Sequence, residues 1–238
     1  MSQKFENRRS MLVTAGLTAP VLIATAGLLT ACSDKGKEKD TPAVEDLMRE
    51  HGVLRRAILV FRESATKLRR DVRSVDPKAL NDTAELFRKF GEDYHERKLE
   101  EAYIFPAVRK AGGPATGYID VLLAQHNRGR ELTGYILAVT AKGAIGSGDA
   151  DPLARAFDAF ELMYANHTAR EDTVVFPAWK QALSSSQIDE MGDKFEEIAK
   201  QEFGKDGFDD AVHKMDRIEQ ILDLSDISQF TAPPPKAG

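Results

Sequence analysis

Four of the five histidines, His51, His95, His126 and His167, each stand among apolar residues at helical spacing. Carboxylates follow two of them: Glu96 comes directly after His95, and Glu171 lies four residues after His167, on the same face of a helix. Asp172, one residue further on, is a second candidate from that helix. The other two, His51 and His126, are each followed at i+4 by arginine, Arg55 and Arg130. A lone histidine on an apolar stripe is ordinarily a satisfied core residue. Four of them, one to a helix, point instead to inward-facing side chains that share one metal centre. Imidazole with carboxylate suits iron or zinc, and a single cysteine, Cys32, leaves no thiolate set for a Cys-rich zinc or iron–sulfur site. His213, in Ala211-Val212-His213-Lys214, reads as a surface residue.

The elements that must position these residues are helices. Thr41-Pro42 reads as an N-cap and first turn, followed by the stripe Leu47, His51, Leu54, Ile58 and Phe61. Asp76-Pro77 starts a second helix through Leu86, Phe87, Tyr94 and Phe105, which stops before Gly112-Gly113. Pro114 opens a third, with Ile119, Leu122, His126, Thr133, Ile136 and Leu137 inward. Asp151-Pro152 caps a fourth, with Leu153, Phe157, Phe160, Tyr164, His167, Glu171, Val174 and Ala178 in register. Short connections between long amphipathic helices predict an all-α, up-down-up-down antiparallel four-helix bundle. Two weaker stretches, 187–203 and 208–222, predict extra C-terminal helices packed on it, before a loose tail containing Pro233, Pro234 and Pro235. Tyr94, Tyr103, Tyr164 and Trp179 read as core aromatics.

The halves repeat. Helix two ends Glu100-Glu101-Ala102-Tyr103-Ile104-Phe105-Pro106-Ala107, and helix four ends Glu171-Asp172-Thr173-Val174-Val175-Phe176-Pro177-Ala178, a duplicated helical hairpin. With Leu47 to His51, Tyr94-His95-Glu96 and Gln125-His126, these segments over roughly residues 43–178 resemble the hemerythrin-like, or HHE cation-binding, family. The resemblance implies a non-haem di-iron centre with histidine ligands and bridging carboxylates, engaged with O2, NO, peroxide or iron itself. Position 99, where the family has a carboxylate four residues after the second histidine, is Leu99 here, so helix two is one residue out of phase. A π-bulge between His95 and Glu100 would absorb the offset. The implied ligand set is His51, His95, Glu100, His126, His167 and Glu171, with Glu96 and Asp172 as second choices. Oxygen carriers of the family have a second histidine where Arg130 stands. The site is therefore richer in carboxylate, which favours ferric iron and argues against a dedicated reversible O2 carrier. Turnover of O2, peroxide or NO as a di-iron redox enzyme is the alternative, and a structural or zinc-binding bundle the third.

The N-terminus reads as an address. Residues 1–9 carry Lys4, Arg8 and Arg9, and residues 11–31 carry no charge, the pattern of an export signal. Arg8-Arg9-Ser10-Met11-Leu12-Val13 resembles a twin-arginine signal. Leu29-Thr30-Ala31-Cys32 resembles a bacterial lipoprotein box, with Cys32 the acylation point. Pro20 and the many Ala, Gly and Thr make the stretch a weakly apolar span, so lipidation is expected rather than an uncleaved anchor. The expected organisation is a signal over 1–32, a polar tether over 33–42, the bundle over 43–182, a helical extension over 186–223 and a tail over 224–238. The expected location is the bacterial cell envelope, lipid-anchored to a membrane and facing the periplasm or exterior. Ser33 after Cys32 resembles outer-membrane sorting.

Composition excludes other classes. Over 238 residues the net charge is −5, so no basic field exists to hold nucleic acid, and a membrane would be met through lipid rather than through charge. No nucleophile–His–acid arrangement, phosphate-binding glycine loop or dinucleotide fingerprint occurs.

Overall fold

The computed structural model describes residues 41–204 and 207–235. Arg8, Arg9, Cys32 and the tether up to residue 40 lie outside them. Helix α1 spans Ala43–Arg70, with Glu45 and Asp46 in its first turn and Lys67, Arg69 and Arg70 in its last, signs that complement the helix dipole. Its N-cap is Pro42, with no side-chain cap; the Thr41 hydroxyl accepts from Arg49 instead. Asp76 caps the second helix as its sequence predicts, accepting from the Lys78 and Ala79 amides, with Pro77 in the first turn. That helix begins as α2, Pro77–Leu86, passes into a π-helical stretch, Phe87–Ile104, and ends as α3, Phe105–Ala111, at Gly112 with φ 78°.

Helix α4, Thr116–Thr140, starts two residues later than Pro114 suggests, because residues 113–118 close three-residue turns first. Helix α5, Ala150–Arg170, starts from Asp149 without a side-chain cap, and Pro152 sits in the first turn, where its missing N–H costs nothing. A π-turn, Glu171–Val175, then leads into α6, Phe176–Gln181.

These four rods pack as a ring: α1 against α5, the second rod against both α1 and α4, and α4 against α5. Phe61, Phe87, Phe157 and Phe160 fill one end, with Phe61 stacked on Phe157 at 4.8 Å. Two further helices lie on the outside. Ser184 and Gln187 form a capping box that starts α7, Ser185–Phe203, and α8 spans Gly207–Ile221. Helix α7 packs on α1 and on the π-helical stretch, with Phe195 stacked on Trp179 and Phe203 edge-on to Tyr94. Helix α8 packs on α1 and α2, buries Met215, and holds Arg56 between Asp216 and Glu219. The result is an all-α, hemerythrin-like bundle with extra helices. Among the described residues no helix is long and apolar enough to cross a membrane.

Candidate metal centre

Six side chains converge midway along the bundle, and none is more than 2% exposed: His51 from α1, His95 and Glu100 from the π-helical stretch, His126 from α4, His167 from α5, and Glu171 from the start of the π-turn. The backbone explains the register. In the second rod the Phe105 amide donates to the Glu100 carbonyl, an i→i+5 bond, and the wider turn puts Glu100 on the same face as His95, five residues earlier. Leu99, where α-helical spacing would put a ligand, is buried among apolar side chains. Helix four keeps His167 and Glu171 four apart, and its own π-turn follows, with Phe176 donating to Glu171. Both π segments end in a Phe-Pro pair.

The geometry is that of two facing pairs. His51 Nε2 lies 3.0 Å from His95 Nε2, and His126 Nε2 lies 3.2 Å from His167 Nε2. Glu100 spans the pairs, with Oε1 3.4 Å from His95 Nε2 and Oε2 3.2 Å from His126 Nε2. Glu171 Oε2 stands 3.0 Å from His167 Nε2 and 3.5 Å from His51 Nε2. All four oxygens of Glu100 and Glu171 are buried without a hydrogen-bond partner. The donor atoms of Glu100, His126, His167 and Glu171 lie within 4.8 Å of one another, as do those of His51, His95 and Glu100.

Every imidazole is held from behind. The outward Nδ1 of His51 donates to Asp172 (2.7 Å), that of His95 to Glu50 (2.6 Å), that of His126 to Glu101 (2.9 Å), and that of His167 to Gln125 Oε1 (3.0 Å). A proton fixed on Nδ1 leaves the Nε2 lone pair pointing into the centre. Asp172 is thereby turned away from the centre, bonded to His51 and to Arg55. Glu96 is also turned aside: it accepts from Arg130 Nη2 at 3.1 Å and comes no nearer than 3.9 Å to His126 Nδ1. The third acidic grouping, Glu96, Glu101 and His126, is thus filled by the Arg130 guanidinium, which also meets Glu101. Of the remaining site residues, Tyr164 stacks on His167 at 5.4 Å, and His213 is exposed.

Burial and crowding set the electrostatics. Burial and the neighbouring Glu100 charge push the Glu171 carboxyl up to about 8. Burial likewise raises Glu96 to about 7, against the pull of His126 and His167. Burial alone would raise Glu100 too, but His95 and His126 hold it well below the usual carboxylate range. Burial opposes protonation of His95 and His126, yet their carboxylate neighbours keep both well above the ordinary imidazole value. His167 is driven down to about 4 by burial and by His126. Each facing pair that includes one of these raised imidazoles, His51 with His95 and His126 with His167, therefore has a place for one positive charge between its Nε2 atoms. Lone pairs that face each other, beside carboxylate oxygens bonded to nothing, fit a cation better than any arrangement of protons.

A family model described as the hemerythrin HHE cation binding domain matches residues 43–179. The chain belongs to that family. It is 42% identical, over an alignment of 238 positions, to an uncharacterized protein of Mycobacterium bovis and to one of Mycobacterium tuberculosis; the match covers 94% of this chain and 90% of each relative. No solved structure matches it significantly. The HHE match ends before α7 and α8, so both extra helices lie outside the family's domain. A buried His/Glu cluster inside an HHE domain makes this a metal-binding protein.

Sequence reasoning did not assign roles to Glu50, Glu101 and Gln125, each adjacent to a site residue, or to Glu92. Glu92 is fully buried, accepts from the Thr133 hydroxyl at 2.6 Å and faces Arg88 at 2.8 Å. The available signal was position: Glu50 and Gln125 each directly precede the histidine on helices one and three.

Proposed function

We propose that this is an exported, lipid-anchored protein whose HHE bundle holds a non-haem di-iron centre that engages a small diatomic ligand, O2 or NO, or handles iron itself. One metal position is formed by His51 and His95, the other by His126 and His167, with Glu100 and Glu171 between them. The observation that carries this reading is the set of four buried, unpartnered oxygens on Glu100 and Glu171, ringed by four inward imidazole nitrogens. Nitrogen and carboxylate donors in this proportion suit iron, with zinc as the lesser fit. Bound iron supplies a redox-active Lewis acid able to take up a small ligand.

The chain's own residues do the rest. Asp172, Glu50, Glu101 and Gln125 hold the imidazoles in one tautomer and orientation. Phe176 and Phe105, stacked on His51 and His126, exclude water from two sides. No ligand side chain is more than 2% exposed, so the centre is shielded from bulk water, a setting suited to an ion and a small ligand. Export and attachment are supported by Arg8-Arg9 and by the position of the only cysteine, Cys32.

The test is metal analysis of the protein purified from iron-replete cells without chelator, followed by NO addition to the reduced form. The expected result is about two irons per chain, as a bundle-core dinuclear site requires, and a new absorption band with NO. Zinc alone, or a folded protein without metal, would overturn the proposal.

A further inference from the structure

The halves of the centre are related by an internal pseudo-twofold, and superposing their roles isolates one difference that acts directly on a ligand. His51 with Arg55 in α1 corresponds to His126 with Arg130 in α4. Each of these histidines stacks on the phenylalanine of a Phe-Pro pair, at 5.3 and 5.5 Å. Each donates through Nδ1 to the acidic residue that follows a central glutamate, Asp172 or Glu101, and that residue meets the corresponding arginine. His95 and His167 correspond in turn, and each donates to the residue that precedes the first histidine of its half. There the match fails, because one acceptor is the Glu50 carboxylate at 2.6 Å and the other is the Gln125 carboxamide at 3.0 Å. Tyr94 donates to the second Glu50 oxygen at 3.0 Å and locks it in place, whereas its counterpart Asn166 bonds back to the Leu162 carbonyl.

Formal charge does not separate the halves. Glu96 and Thr168 are counterparts, directly after His95 and His167, and each accepts from the other half's arginine. Glu96 accepts from Arg130, beside His126, and Thr168 from Arg55, beside His51, so the Glu96 charge falls at the second metal position and offsets that of Glu50 at the first. What differs is where the negative charge is applied. Glu96 ends on a guanidinium, 3.9 Å from the nearest imidazole nitrogen, while Glu50 is hydrogen-bonded to the ring itself. A carboxylate on Nδ1–H draws the proton outward and enriches Nε2, an effect roughly twice as strong as that of a neutral acceptor. Ferric iron gains more from an enriched donor than ferrous iron does.

We infer that Glu50, acting through His95, makes the two metal positions unequal, so that the position of His51 and His95 has the lower reduction potential and is the ferric one in the mixed-valence protein. This rests on the di-iron reading above. Glu50 is a positioning residue in this role, since its oxygens touch only His95 and Tyr94 among the groups of the site.

The experiment is a redox titration of the iron-loaded full chain, with the mixed-valence state followed by EPR, for the natural protein and for Glu50→Gln and Gln125→Glu. Glu50→Gln should raise the lower of the two potentials and leave the higher in place. Gln125→Glu should lower the higher one, so that both substitutions narrow the gap. A change on the order of tenfold in ferric preference corresponds to about 59 mV for one electron. Iron content and the helical circular-dichroism spectrum check that each variant is folded and loaded. Two irons with coincident potentials, potentials indifferent to both substitutions, or a Glu50→Gln shift in the higher potential would overturn the inference while leaving the di-iron reading intact. Absence of iron from the natural protein would strike that reading instead.

Discussion

A carboxylate buried to 0% exposure with both oxygens unbonded is a cost of several kcal/mol unless a cation meets it, and this centre holds two, Glu100 and Glu171. Stripped of metal, the protein must cover that cost with protons, which gives a pH signature of definite sign. Glu171 and Glu96, raised to about 8 and about 7, bind protons when folded that they would lose when unfolded. His95 and His126 are raised as well. Raised groups stabilise the fold at low pH, and that contribution fades as pH climbs toward their folded values. His167, lowered to about 4, acts in the opposite sense, but only below its ordinary value of 6.5; the lowered Glu100 acts lower still. Thermal melts of metal-stripped protein should therefore show stability falling as pH rises from 6.5 to about 8. Iron should stabilise the protein by more at the upper end of that window, because its ligands must be deprotonated. A metal-stripped protein that gains stability across the same window would contradict the assignment of Glu171 as a buried, protonated carboxyl.

At the scale of elements, the π segments are what turn an irregular sequence into a regular site. Each ends at a Phe-Pro pair, and a proline ring crowds the carbonyl four residues earlier, so a widened turn upstream relieves the clash. A bulge between His95 and Glu100 was legible from the one-residue offset at Leu99. The extension of π geometry over Phe87–Ile104, and the second π-turn after Glu171, were not. Helix periodicity places a residue on a face and says nothing about which i→i+5 bonds that face adopts. The outer partners were hidden for a related reason: Glu50 meets His95 across 45 residues and Asp172 meets His51 across 121, pairings that depend on how the rods rotate against one another. The substitution that separates π from α register is Leu99→Glu in a Glu100→Ala background. If Leu99 faced the metal, the pair would restore iron binding. With Leu99 1% exposed among apolar neighbours, the expected outcome is no iron and a lower melting temperature than Glu100→Ala alone, since an unpaired carboxylate has been added to the core.

For the molecule as a whole, the bundle was legible in the sequence because four long amphipathic stripes and short turns leave few other ways to bury Leu47, Phe61, Phe157 and Phe160 together. What the extension contributes was less visible, since α7 and α8 supply no residue to the centre and serve to cover the outside of α1 and the second rod. Met215→Ala, in a fully buried position on α8, should accordingly cost about 2–5 kcal/mol of unfolding free energy and leave the iron count per chain unchanged. Among the described residues no helix is long and apolar enough to cross a membrane, and the net charge is −5, so the membrane attachment proposed above rests on the N-terminal segment. Two physical routes exist, an acyl group on Cys32 or an uncleaved apolar anchor over residues 11–31, and they respond oppositely to one substitution. Acylation adds about 0.8 kcal/mol per buried CH2 and depends entirely on the thiol, whereas an anchor is indifferent to it. Cys32→Ser should move the protein from the membrane fraction into a soluble or precursor form, with its iron content retained. Mass spectrometry of the natural protein should find a chain that starts at residue 32. Arg8→Lys with Arg9→Lys should hold the full-length precursor inside the cell, since the address would then be unreadable to a twin-arginine route. A natural protein whose mass shows residues 1–31 still attached and no acyl group on Cys32 would establish the apolar anchor instead.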